Sequence, residues 1–187
     1  MSKGVLISIR PRWCEKIVNG NKTIEVRKTR PKMNTPFKCY IYCTKDKHLA
    51  FMQNRFGTKL IACMDAETAI PVGGAVGNGK IIGEFTCDRI YELAPLNHAP
   101  DDVEKQACLT REEIANYLKG TGYGWHISNL RIYDAPRELG EFRRACPNSW
   151  YCESCAMYWE NNGTCGNESL QFKRAPQSWG YVEEVRA

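Results

Sequence analysis

Residues 8–27 read SIRPRWCEKIVNGNKTIEVR, and the order of elements in this stretch decides the fold. The apolar, β-branched run from Val5 to Ile9 leads into it and predicts a short strand ending at Arg10-Pro11. Trp13, Ile17 and Val18 then recur at helical spacing, with Gly20 placed to end that helix. Thr23 to Arg27 alternates, which is the pattern of a half-buried strand.

Working outward, Pro31 and Pro36 bracket a turn, and Lys38 to Thr44 predicts another strand. Residues 45–59 (KDKHLAFMQNRFGTK) predict a basic helix, and residues 71–80 (PVGGAVGNGK) a flexible glycine-rich loop or hairpin. That loop is not a phosphate loop, because Lys80 is followed by Ile81-Ile82 and a strand, whereas a phosphate cradle needs the amides of a helix N-terminus. Lys80 to Leu93 is the longest strand candidate. Thr110 to Lys119 predicts a helix with Thr110 as N-cap and Glu113 completing a capping box. Trp125 to Tyr133 and Trp179 to Val185 complete the strands. Several strands with few, scattered helices predict an α+β fold, a small mixed β-barrel with flanking helices; the regular alternation of a doubly wound sheet is missing. A length of 187 residues fits one domain, with residues 146–165 as a Cys-rich insert.

A hydrophobic share of 43% and a charged share of 25% exclude a disordered chain. No apolar run reaches bilayer-spanning length, and the opening MSKGVLISIRPRW lacks the apolar core of a secretory signal. A cytoplasmic monomer without membrane contact is therefore expected. The net charge of +5 conceals a segregation: residues 1–60 carry fourteen Lys and Arg against three Asp and Glu. Such asymmetry fits either a polyanion partner or a solvated basic face.

Within GNKTIEVR (residues 20–27), strand alternation puts Glu25 and Arg27 on one face, about 7 Å apart. Lys22 stands at the loop-to-strand junction, from which its ammonium reaches the same space. A carboxylate beside two cations is held ionised. The trio can therefore accept hydrogen bonds from a base edge while its cations meet phosphate, or it can simply pin the strand as a salt bridge.

The spacing G-x-K-x-x-E-x-R, with SIRPRWCEKIVNG before it, resembles the ASCH (activating signal cointegrator homology) domain family of the PUA-like superfamily. GKIIGEFTCDRI (79–90), YGWHISNLRIYDAP (123–136) and RAPQSWGYVEE (174–184) are similar to segments of its bacterial and prophage members. The resemblance implies a PUA-like barrel in which Lys22, Glu25 and Arg27 line a cleft between barrel and helices, with RNA, DNA, a modified base or a nucleotide as partner. An enzymatic branch, the small bacterial acetylcytidine amidohydrolases, uses a lysine and a threonine nucleophile on the equivalent strand. Lys22 matches that lysine, but Glu25 stands at the nucleophile position, and Thr23 should point elsewhere. Recognition is thus expected before catalysis. The alternatives are a hydrolase of RNA or of a modified nucleoside using Lys22 and Glu25, and a phage or host protein-interaction module.

Cys146, Cys152, Cys155 and Cys165 form C-x5-C-x2-C-x9-C, a spacing that predicts a four-cysteine metal knuckle. Structural zinc is expected, with an iron–sulfur cluster as the alternative; disulfides are disfavoured in a reducing compartment. Phe142, Trp150, Tyr151, Tyr158 and Trp159 are expected to pack the knuckle on the barrel, the alternative being that they offer stacking surfaces for bases. Cys39 and Cys43 lie about 13 Å apart along a strand and, with Cys63 and Cys87, read as core residues. His48, His98 and His126 read as structural. Two further clusters combine cations with aromatic or amide groups: Arg10, Arg12 and Trp13, and Arg174, Gln177, Ser178 and Trp179; each fits barrel closure, with Trp buried and Arg exposed, as well as it fits a ligand. With Lys28 they complete the candidate nucleic-acid-binding set.

Overall fold

The computed structural model describes residues 3–54, 57–62, 74–93, 98–147, 154–162 and 165–184. Its centre is a curled, six-stranded mixed sheet in the order β2-β8-β7-β3-β1-β9. The strands are β1 (Lys3–Ile9), β2 (Ile24–Arg27), β3 (Phe37–Cys43), β7 (Ile81–Glu92), β8 (Tyr123–Arg137) and β9 (Trp179–Glu183). β1 and β3 run parallel and the other neighbours antiparallel. Register shifts punctuate the β7–β8 and β3–β7 ladders, and such bulges bend a sheet and increase its twist. At Gly83 the strands approach so closely that a Cβ would stand 2.5 Å from the Arg131 carbonyl oxygen.

Alternation along β1 explains why it is buried on both faces. Val5, Ile7 and Ile9 join Cys39, Ile41, Phe85 and Trp125 inside the curl, closed from one side by Cys14 and Ile17 of α1 (Pro11–Val18). Leu6 points the other way, into a second cluster with Tyr40, Ile81, Phe142, Phe172 and Val182. Glycine at position 20 ends the turn after α1 with φ +73, a conformation that favours this residue.

A third cluster sets the geometry of β2. Ile24 and Val26 pack outward against Val103 and Ala107 of α2 (Val103–Ala107) and Ile114 and Leu118 of α3 (Arg111–Leu118). The expected half-buried strand is therefore buried on both faces, with Glu25 and Arg27 turned inward. The capping box of Thr110 and Glu113 is formed as expected, fixing the start of α3.

Among the described residues of 45–59 strands replace the expected helix. β4 (Leu49–Asn54) pairs antiparallel with β5 (Gly57–Ala62), and β6 (Gly74–Val76) lies on the other side of β4. Tertiary pairing overrides local propensity here. The Asp46 carboxylate accepts from the amides of His48 and Leu49, and Asn78 accepts from the Phe51 amide while donating to the Leu49 carbonyl. The described part of the glycine-rich segment thus forms a strand and a turn, and β7 rather than a helix follows it. A short helix, α4 (Ala156–Glu160), lies in the C-terminal part. No helix is long and apolar enough to cross a membrane among the described residues.

The core cysteines are placed as expected for Cys39, Cys43 and Cys87, while Cys63 lies outside the described residues. His126 is tied to Asp88, Nδ1 to Oδ1 at 2.6 Å. Burial pushes the thiols of Cys14 and Cys39 well up, and that of Cys87 up to about 12. These thiols stay protonated and shielded at pH 8, whereas Cys108 is only half-buried. Iodoacetamide at that pH should leave Cys14, Cys39 and Cys87 unmodified in the folded chain and label Cys108, as read by peptide mass spectrometry. In guanidinium all four should label.

Candidate functional site

Curling brings the two outer strands of the sheet, β2 and β9, within side-chain reach, and Arg27 spans the gap. Its Nη2 donates to the Ser8 carbonyl at 2.7 Å, and its Nη1 reaches the carbonyl and hydroxyl oxygens of Ser178 at 3.3 and 3.2 Å. Trp179 supports the seam: its Nε1 donates to Thr29 Oγ1 at 3.0 Å, and its ring lies 5.9 Å from that of the buried Trp125.

The same guanidinium meets Glu25, Nη2 to Oε1 at 2.9 Å. Lys22 approaches the other carboxylate oxygen, Oε2, at 3.5 Å. Lys22 is held from behind: its Nζ donates to the Ala107 carbonyl at 2.7 Å. That carbonyl ends α2, where unpaired carbonyls favour a cation. Trp13 lies 5.1 Å from the ammonium, ring centroid to Nζ. All three charged residues are buried, at 2% exposure for Lys22, 6% for Glu25 and 7% for Arg27. Despite its two cations, Glu25 Oε2 makes no hydrogen bond among the described residues. A buried acceptor left this way costs about 1–3 kcal/mol.

In front of the trio lies a cavity of about 570 Å³, within the range of small-ligand sites. Lys22, Glu25 and Arg27 form its floor, with Arg10, Arg12 and Trp13 from the start of α1 and Gln177 before β9 on its walls. Seven of the eleven residues expected to bind nucleic acid are thereby brought together. Ser178 and Trp179 serve the seam behind the cavity instead. Lys28 stands beside it, with its Nζ 5.4 Å from the Tyr117 ring centroid. Arg174 is exposed and is not a lining residue.

Sequence reasoning missed Ser8, Thr44, Leu109, Glu113 and Tyr117, which also line the cavity. Glu113 and Tyr117 share one face of α3 at i, i+4 spacing, a signal present in the sequence but overshadowed by the capping role of Glu113. Thr44 carries no such signal, since only the β1–β3 pairing brings it near. Thr23 points away as expected: its hydroxyl meets Gln106 Oε1 at 3.3 Å, and it is not a lining residue.

The cysteine insert is described in part. Cys165 is buried, Cys146 and Cys155 are half-buried, and Cys152 lies outside the described residues, as do Trp150 and Tyr151. Among the described residues no group of three or more His, Cys, Asp or Glu side chains is placed to hold a metal ion. Phe142 packs against the sheet, 5.2 Å from Tyr40 between ring centroids. Trp159 departs from the expected packing on the barrel: it is 66% exposed and packs edge-on to Tyr158 on a helix of five residues, too short to press both rings onto the sheet.

Removing Arg27 unties the seam and leaves Glu25 with one cation. Arg27→Ala should lower stability by about 3–5 kcal/mol, read from the midpoint of urea unfolding. Arg27→Lys should recover only part of that loss, because a single ammonium cannot reach the same spread of acceptors.

No family model matches the chain, and no curated protein matches it. Solved structures do. The crystal structure of an ASCH protein from Zymomonas mobilis superposes with a TM-score of 0.51 at 14% identity, covering 97% of this chain and 88% of that one. A tyrosine-to-phenylalanine mutant of the same protein gives 0.53 at 15%, covering 98% and 92%. A serine-to-alanine mutant gives 0.53 at 14%, covering 97% and 89%. A likeness that runs through nearly the whole of both chains, on a curled mixed sheet whose seam and cavity are built from the G-x-K-x-x-E-x-R stretch, identifies the fold of this chain as the ASCH fold.

Proposed function

We propose that this chain binds a nucleobase-bearing ligand, as a nucleotide or as part of a nucleic acid, in the cavity above Lys22, Glu25 and Arg27. The observation that carries this reading is the ligand-sized cavity whose lining sets the Glu25 carboxylate between two cations, beside Trp13, Arg10 and Arg12. A carboxylate in such a place accepts from N–H donors, and the edges of nucleobases supply them. Trp13 offers an aromatic wall for stacking, and Arg10 and Arg12 offer cations for phosphate. RNA is the preferred source, in keeping with the PUA-like affinity of the fold and the basic character of residues 1–60.

Catalysis by Lys22 and Glu25 is the weaker reading. Lys22 is engaged with Ala107 and Glu25, and the threonine that would act as nucleophile by analogy faces Gln106.

Binding of nucleotides and short RNA should be measured by calorimetry at two salt concentrations. Glu25→Gln keeps the shape but weakens the acceptor, and a loss of about tenfold in affinity is expected, in line with a charged hydrogen bond of about 1.5–3 kcal/mol. The affinity of RNA should fall steeply with salt. Equal affinity in the variant, or no binding at any salt, would remove this reading.

For the insert, we propose that Cys146, Cys152, Cys155 and Cys165 hold one structural zinc ion, on the strength of their spacing alone. Elemental analysis of purified protein should give one zinc per chain, and Cys155→Ser with Cys165→Ser should abolish it. A chain free of metal, or one carrying iron, would count against zinc.

A further inference from the structure

Two thiols meet behind the wall of the cavity. Cys14 faces inward from α1 and Cys43 ends β3, and both are fully buried in the core inside the curl. They come from different elements and are drawn together at Ile9. Cys43 stands opposite Ile9 in the parallel β1–β3 ladder, and Cys14 Sγ donates to the Ile9 carbonyl at 3.5 Å. The two thiols also interact with each other, side chain to side chain. The other contacts of Cys43 are long, with its Sγ 3.9 Å from the Thr44 carbonyl oxygen and 4.0 Å from Asn78 Oδ1. Both residues are free thiols in the structure.

Four cysteines share this core, and the ladder sorts them. Cys39 pairs with Phe85 and Cys87 with Phe37, so Cys39 and Cys87 occupy diagonal positions. Such positions lie about 7–8 Å apart, whereas a disulfide needs Cα atoms closer than about 7 Å. Cys14 and Cys43 are not held apart by a shared ladder. Cys14 belongs to a helix of eight residues whose N-cap makes no side-chain hydrogen bond, so α1 can make the small adjustment that an S–S bond requires. Burial decides the chemistry open to the pair. A thiolate, or a metal held by two thiolates, would bring negative charge into an apolar core near the Glu25 carboxylate. A disulfide is neutral and needs no hydrogen-bond partner.

The neighbours of the pair give the bond a consequence. Trp13 precedes Cys14, Thr44 follows Cys43, and both line the cavity together with Ile9. The loop between the two cysteines contains Lys22, Glu25 and Arg27. Joining its ends ties the segment that carries the cavity floor to itself.

We propose that Cys14 and Cys43 form a reversible oxidation site, closed to a disulfide by hydrogen peroxide, an oxidant of nearly the size of water. One sulfur attacks the peroxide: an S–O bond forms, the O–O bond breaks, and the thiol proton leaves with the departing oxygen as water. The second sulfur then displaces the sulfenic oxygen, forming S–S, breaking S–O and releasing a second water with its own proton. Two thiols thereby lose two electrons, and the peroxide gains them. A dithiol reductant reverses the step by exchange. The site does not depend on what fills the cavity, so its failure would leave the cavity reading untouched.

The test treats the full chain with graded hydrogen peroxide, alkylates it in guanidinium and digests it without reductant for peptide mass spectrometry. A peptide pair joined through Cys14 and Cys43, lighter by two hydrogens than its separate members, should appear and then vanish with dithiothreitol. Cys39 and Cys87 should be recovered alkylated. The bond closes a loop of about 30 residues, so the oxidised chain should melt about 5–10 °C higher than the reduced one. Cys14→Ala and Cys43→Ala should each lose both the joined peptide and the peroxide-dependent rise in melting temperature. The joined peptide is read on the native chain, so it decides the matter even where an alanine variant does not fold. Cys14 and Cys43 that stay alkylatable at doses oxidising the half-buried Cys108 would overturn the proposal. So would their bonding to other cysteines, or a Cys14–Cys43 bond that leaves the melting temperature unchanged.

Discussion

The fold depends on one buried carboxylate with a cation on each side. Glu25 by itself would be an untenable charge inside a curled sheet. With Arg27 on one oxygen and Lys22 near the other it becomes tenable, and each cation in turn carries the charge into a different part of the molecule. Arg27 passes it to the carbonyls of β1 and the approach to β9, and Lys22 passes it to the end of α2. The trio therefore joins the edges of the sheet to each other and the sheet to its helices. It also serves as the floor of the cavity. The same three side chains thus tie the fold together and line the cavity, so a change there will disturb both.

The inversion of β2 follows from the same constraint. Its apolar residues face α2 and α3, which lie outside the curl, and its charges face inward. Binary patterning alone points a strand's apolar side toward the core. Among the described residues there are three apolar clusters, and the strand serves the peripheral one.

How much could be read from the sequence depended on whether the deciding contacts were local. The first strand, α1, β2, β7, α3 with its capping box, and the shared face of Glu25 and Arg27 were legible, because each follows from neighbours within a few residues. The ASCH resemblance was legible from short ordered segments, while the solved structures that share the fold are only 14–15% identical. Residues 45–59 were misread. Their composition favours a helix, but Phe51 is drawn into the main core, and Asn78, far along the chain, ties into the backbone of β4. Thr44 and Ser8 were illegible as site residues because the β1–β3 pairing alone brings them to the cavity. Arg174 is exposed and does not line the cavity, whereas Gln177, three residues on, does.

The strand order has a consequence for the timing of assembly. β1 lies between β3 and β9, and the hydroxyl and carbonyl of Ser178 reach Arg27 across about 150 residues of sequence. On the ribosome, β1 to β8 can associate while their seam stays open, with Arg27 lacking part of its acceptor set and β1 exposing an unpaired edge. Only when residues 177–183 emerge can β9 cover that edge and the guanidinium settle. The seam between β2 and β9, and with it the floor of the cavity, is thus completed only after β9 has followed β8 out of the ribosome.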